Sequence, residues 1–83
     1  MSPTIFDQVR DLAADLFAIP REAITPETSP DTLDRWDSMQ HLNLMLDLEM
    51  TFGVKFTAQE QAEMLSIGAV AGTVERKLGR SSV

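Results

Sequence analysis

Trp36-Asp37-Ser38-Met39-Gln40-His41-Leu42-Asn43-Leu44-Met45-Leu46-Asp47-Leu48-Glu49-Met50-Thr51-Phe52-Gly53-Val54 is the stretch whose reading decides the fold of this chain. Asp37 or Ser38 starts a helix, the apolar run carries it to Phe52, and Gly53 is placed to take the left-handed conformation that closes it. This is the most apolar helix of the sequence. Leu42, Met45, Leu46, Leu48 and Phe52 are expected to pack inward while Asp47 and Glu49 stay near solvent, which makes the helix central with a limited exposed face. On that reading Phe52→Ala costs about 3–5 kcal/mol if the ring is buried. The same stretch sets one serine hydroxyl, Ser38, at a helix start, where it is either a handle for chemistry or part of a cap.

Helical signals continue on both sides. Upstream, Ile5, Val9, Leu12, Ala13, Leu16 and Phe17 recur at the spacing of one helix face, with Asp7, Gln8, Arg10, Asp11 and Asp15 on the other. Ser2-Pro3-Thr4 supplies a hydroxyl cap and a tolerated proline, and Pro20 ends the helix, so its limits fall near Thr4 and Ala18. Pro20, Pro26 and Pro30 then mark a long loop to Trp36, anchored by Ile24, Leu33 and Trp36. Loops of that length are usually functional or disordered. Downstream, Val54-Lys55-Phe56 reads as extended. Thr57-Ala58-Gln59-Glu60 is a capping box opening a short helix to about Met64. Ser66 caps a last helix with Ile67, Val70, Ala71, Val74 and Leu78 on one face and Glu75, Arg76 and Lys77 on the other; residues 79–83 are expected to fray. No strand pattern competes and no internal repeat is present. The expected fold is all-α: a four-helix bundle of three principal helices plus one short one, with a long first connection.

The composition narrows the function classes. With 83 residues the chain is expected to form one domain spanning 1–83, with little room for an enclosed active site. Apolar residues make up 43%, including four Phe and one Trp, which supports a core and argues against disorder. Without cysteine, neither a disulfide nor a thiolate metal site is available. No signal peptide or membrane span is legible, so a soluble cytoplasmic protein is the default expectation. Thirteen acids against seven bases give a net charge of −6, which disfavours nucleic acid and favours partners with basic surfaces.

At Ser38 two readings compete. In the bland one, Asp37 caps the helix and Ser38 merely occupies its first turn. In the other, backbone amides and the positive end of the helix dipole stabilise a phosphate attached to the hydroxyl, and Asp37 beside it faces a magnesium ion or a basic partner residue during the transfer. His41, three positions on, suggests a nucleophile and base. The commoner reading is a solvated surface histidine, and no nucleophile elbow or oxyanion loop supports hydrolysis. Asp31, Asp34 and Asp37 lack the alternation of a calcium loop and read as solvated. Trp36 reads as a core plug beneath the loop. Met39, Met45, Met50 and Met64 read as packing residues, adaptable enough to suit a cavity. Arg76, Lys77 and Arg80, the one basic cluster, favour the end of a helix.

Taken together, the long first helix, the Pro/Thr/Asp loop, Asp37-Ser38-Met39, the leucine-rich helix ending Glu49-Met50-Thr51-Phe52-Gly53-Val54-Lys55-Phe56, the short helix and Ser66-Ile67-Gly68-Ala69-Val70 resemble an acyl or peptidyl carrier protein over nearly the whole chain. The Asp-Ser-Met triplet alone is weak; its fixed distance to Phe52-Gly53-Val54 makes it specific. The resemblance implies that Ser38 receives 4′-phosphopantetheine from coenzyme A through a separate phosphopantetheinyl transferase. It implies further that the arm's thiol holds an acyl or aminoacyl group as a thioester, with no catalytic residue and no metal in the carrier itself. The partners so implied are a loading enzyme and downstream synthases or transferases, met by a monomer. Docking by the start of the second helix maps onto Asp37, Met39, Gln40, Asn43 and Asp47.

That surface departs from the fatty-acid-synthesis pattern. Gln40 and Asn43 are neutral where such carriers are acidic, Met39 replaces Leu, His41 and Met50 are unusual, and Arg35-Trp36 replaces the common Gly-Leu or Gly-Gly before Asp-Ser. A less acidic face weakens long-range steering and shifts recognition toward shape and apolar contact at Met39, which points to a specialised, secondary-metabolite pathway. The starting Met1 leans toward a freestanding carrier. Two rivals remain: a helical protein-interaction module in which Ser38 is only a helix-start residue, and a small DNA-binding domain, which the acidic, apolar second helix opposes. The cargo is not legible, because the loading enzyme selects it.

Overall fold

The structure, a computed structural model, describes residues 4–79. These residues form four α-helices, α1 (Ile5–Phe17), α2 (Ser38–Phe52), α3 (Ala58–Glu63) and α4 (Ile67–Leu78), in an all-helical bundle. Ser2-Pro3 of the expected first cap, Arg80 of the basic cluster and most of the expected frayed end lie outside the described residues. Each helix begins on the side chain its sequence offers. Thr4 and Asp7 form a capping box on α1, Thr57 and Glu60 form another on α3, and the Ser66 hydroxyl accepts from Ala69 N at 3.1 Å on α4. Gly53 and Gly79 close α2 and α4 in the left-handed region that glycine enters without strain.

The end of α1 is different, because Ala18 takes the left-handed conformation at φ 58°. An L-residue there costs about 1–2 kcal/mol. The turn is closed by Ile19 N donating to Ala14 O (3.1 Å), and Arg35 adds to it from the far side of the loop, its guanidinium donating to the carbonyls of Phe17 (3.0 Å) and Ala18 (3.3 Å). Ala18→Gly is therefore expected to raise stability by about 0.5–1 kcal/mol, relieved strain outweighing glycine's added unfolded-state freedom; urea denaturation checks it.

The core is one cluster drawn from every principal helix and from the loop, with Val9, Phe17, Ile24, Trp36, Leu44, Met45, Leu48, Met64, Ile67, Val70 and Val74 at its centre. In α2 the inward set differs from the sequence expectation. Met45 and Leu48 are buried as expected, but Leu42 and Leu46 are 58% and 57% exposed and Leu44 is buried instead. Residues 44, 45 and 48 share one face at i, i+1 and i+4, whereas 42 and 46 lie on the opposite side. A helix apolar all round does not announce which face turns inward. Phe52 is only partly buried against the core, so the expected cost of Phe52→Ala falls to about 1–2 kcal/mol, read as a shift in the denaturation midpoint. Of the four methionines read as packing residues, Met45 and Met64 are buried, whereas Met39 and Met50 stand 70% and 83% exposed.

The long loop is ordered by its own hydroxyls and by α4. Beyond a short 3-10 turn at Arg21–Ala23, Thr25 N donates to Thr28 Oγ1 (2.9 Å) and Ser29 N to Thr32 Oγ1 (3.0 Å). The carbonyls of Thr28 and Pro26 accept from Ile67 N and Gly68 N, both at 2.9 Å, satisfying the first amides of α4. A β-carbon on Gly68 would stand 3.1 Å from the Pro26 oxygen, so glycine is what lets the loop come this close. Ile24 and Trp36 anchor the loop deep in the core, with Leu33 partly buried beside them, as their apolar character predicts.

Candidate functional site

Ser38 is the first residue of α2, and the extended backbone of Asp37 before it turns the chain into the helix. The capping is done by the neighbour: Asp37 Oδ1 accepts from Gln40 N at 2.9 Å, and Asp37 O accepts from His41 N at 2.8 Å. Ser38 is exposed, and among the described residues its hydroxyl enters no hydrogen bond. The amides of Ser38 and Met39 have no acceptor within the helix, because the carbonyls they would need precede it. They point, with the positive end of a 15-residue helix, at the space around the Ser38 side chain. An anion covalently tied to that oxygen would therefore be stabilised where it is attached.

Two clefts meet at this helix start, with Asp37 on the rim of both. One, of about 570 Å³, is lined by Pro30, Trp36, Asp37, Ser38, His41, Leu42 and Leu65 and is largely apolar. The other, of about 600 Å³, runs between the end of α1 and Met39 with Gln40, and is more polar. A chain tethered at Ser38 begins at the mouth of the apolar one.

The residues expected to meet partners are spread unevenly. Asp37, Met39 and Asn43 are exposed on the first two turns of α2, next to Ser38. Gln40 is half-buried and tied down, its amide donating to Leu16 O (3.3 Å) and its oxygen accepting from Asn43 Nδ2 (2.8 Å). Asp47 is half-buried one turn further on. His41 is not the solvated histidine that its lone position suggested: it is half-buried, with Nδ1 at 3.0 Å from the Trp36 indole nitrogen and Nε2 at 2.8 Å from Gln61 O. With both ring nitrogens engaged it has none to offer Ser38 as a base. Asp31 and Asp34 are exposed, and among the described residues no group of three or more His, Asp or Glu side chains is placed to hold a metal ion.

Lys77 and Arg76, away from this site, make structural contacts. Lys77 meets Glu60 at 2.8 Å, tying α4 to α3; that hydrogen bond, followed by the one from the Thr57 amide, holds the Glu60 carboxyl below the usual glutamate range. Arg76 donates to Thr73 Oγ1 at 3.2 Å. What the residue-by-residue reading missed is the apolar outer face of α2, Leu42, Leu46 and Met50 running on from Met39, and the cleft wall that Leu65 supplies. Only the surplus of leucine over what one buried face needs hinted at it.

Residues 7–74 match the family model described as a phosphopantetheine attachment site. The chain is 33% identical over 72 residues to the acyl carrier protein AcpXL of Brucella melitensis, which covers 84% of this chain and 74% of that protein. It is 28% identical over 76 residues to an acyl carrier protein of Thermotoga maritima, covering 90% and 93%. Among solved structures it is similar to the holo acyl carrier protein of Geobacter metallireducens, determined in solution by NMR: the TM-score is 0.81 at 32% identity, over 90% of this chain and 86% of that one. No helix among the described residues is long and apolar enough to cross a membrane.

Proposed function

This chain belongs to the acyl carrier protein family, matched over its phosphopantetheine attachment domain, and from that premise we propose that Ser38 is the residue that receives the prosthetic group. The protein acts as an acyl carrier through covalently attached 4′-phosphopantetheine, which when bound supplies a thiol, on a flexible arm, that holds the acyl group as a thioester. The observation that supports Ser38 is a division of labour at the start of α2. Asp37 does the capping, so among the described residues the serine hydroxyl stands exposed and unbonded beside two amides that have no acceptor. The residues present fit a phosphodiester there, and a chain with no cysteine has no thiol of its own.

In this reading the chain is a single carrier domain over residues 1–83 that catalyses nothing itself. A phosphopantetheinyl transferase modifies it in the cytoplasm, and loading and downstream enzymes dock on Asp37, Met39 and Asn43, with Gln40 and Asp47 at the margin. The arm raises the effective concentration of its cargo at each docked enzyme, so docking itself can stay weak. Neutral Gln40 and Asn43 and the exposed apolar Met39 support partners chosen by shape and apolar contact rather than by long-range charge, which favours a specialised pathway. Incubation with coenzyme A and a broad-specificity transferase, followed by intact and tandem mass measurement, tests the assignment. One phosphopantetheine on the Ser38 peptide supports it; an unchanged mass leaves the chain an interaction module instead.

A further inference from the structure

Trp36 is 2% exposed and carries an indole N–H that must find an acceptor inside the protein. It finds His41 Nδ1 at 3.0 Å, while the imidazole lies roughly parallel to the indole at a centroid distance of 5.9 Å. An indole nitrogen can only donate, so Nδ1 accepts and the ring proton sits on Nε2. That Nε2–H then donates to the Gln61 carbonyl, 2.8 Å away and 20 residues on, in α3. One side chain thus joins the loop before α2, α2 itself and α3.

The join matters because α3 has little else to hold it. The helix is six residues long and none of them is buried. Its other attachments among the described residues are the buried Phe56 before it, whose amide donates to Glu49 Oε2 of α2 at 2.8 Å, the Lys77–Glu60 pair, a long contact from Gln61 Nε2 to Phe56 O at 3.5 Å, and the buried Met64 that follows it. Isolated helices of that length do not persist in water. Directly after Met64 comes Leu65, which with Trp36, His41 and Leu42 walls the apolar cleft into which Ser38 opens.

We infer that His41 is a positioning residue: the Trp36–His41–Gln61 chain of hydrogen bonds sets where α3 and Leu65 stand over the cleft beside Ser38, and so how far that cleft shelters an acyl chain tethered there. The shelter rests on Ser38 as the attachment point; the strut itself does not.

The strut is tested first on the full, unmodified chain by NMR. The His41 nitrogens should report a protonated Nε2 and an unprotonated Nδ1, and the Trp36 indole hydrogen should exchange slowly. His41→Phe keeps a ring against the indole but removes both bonds; exchange of the Gln61 and Ala62 amides should then quicken at least about fivefold, and more than that of the α1 and α4 amides. Trp36→Phe, which removes the donor and part of the ring but leaves the His41–Gln61 bond in place, should quicken them less. A proton on Nδ1 in the wild type, or α3 exchange unaltered in His41→Phe, overturns the inference without reference to Ser38. The shelter is tested on protein loaded with octanoyl- or acetyl-phosphopantetheine. Hydroxylamine should cleave the octanoyl thioester several-fold faster in His41→Phe than in wild type while acetyl cleavage stays unchanged, a difference that a general loss of stability would not produce. Equal rates for both chains in both proteins overturn the sheltering role. A wild type that takes up no phosphopantetheine would instead refute the reading of Ser38, with the exchange result standing on its own.

Discussion

Ser38→Ala is expected to take up no phosphopantetheine and to fold as stably as the wild type. The loss follows from chemistry: the phosphodiester needs an oxygen nucleophile at this position, and alanine offers none. The unchanged stability follows from the geometry. Ser38 is exposed, its hydroxyl bonds to nothing among the described residues, and the cap on α2 belongs to Asp37. Alanine in the first helical turn has the better propensity, so the change should stay within about 0.5 kcal/mol of wild type. Asp37→Ala should lose about 1 kcal/mol with the cap and still be modified on the Ser38 oxygen it retains, at a rate lowered by the loss of a docking residue. Intact mass after transferase treatment and urea denaturation of the three proteins separate the two roles. A large drop in the stability of Ser38→Ala would show that the serine is structural, and modification of that variant would place the attachment elsewhere.

Trp36→Ala is expected to cost about 3–5 kcal/mol, the largest effect on stability of any single change considered. The indole fills the space beneath the long loop, packs at 5.6 Å and 32° against Phe17 of α1, and gives its N–H to His41 of α2. Its removal opens a cavity between α1, α2 and the loop and leaves His41 Nδ1 without its donor. For a domain of this size the melting temperature should fall by roughly 12 °C or more. Because Trp36 is the only tryptophan, the measurement is made by far-ultraviolet circular dichroism rather than fluorescence. A loss below about 1 kcal/mol would mean that the loop folds independently of its anchor.

Much of the bundle was legible residue by residue. Thr4, Thr57 with Glu60, Ser66 and Gly53 act locally, through atoms at most four residues away, and each does in the fold what its position in the sequence suggested, whereas Gly79, read as the start of a frayed end, closes α4 instead. Ile24 and Trp36 were identifiable as anchors because large apolar residues in a loop of prolines and hydroxyls have nowhere else to go. The inward face of α2 was not. Leu42, Leu44, Leu46 and Leu48 are chemically equivalent, and packing against α1 and α4 chooses between them.

What the sequence determined by itself was the candidate oxygen and its setting: a serine directly after a capping aspartate, at the start of a long helix, in a chain with no thiol of its own. Those are local properties, governed by hydrogen bonds within one helical turn. Only the tertiary structure decided what surrounds that oxygen. His41 reaches Gln61 across 20 residues and Leu65 closes a cleft begun by Trp36, while Arg35 secures the end of α1 from a distance of 17 and 18 residues. No local pattern encodes such pairings, because a donor and an acceptor far apart in sequence become partners only when the core has brought their elements together.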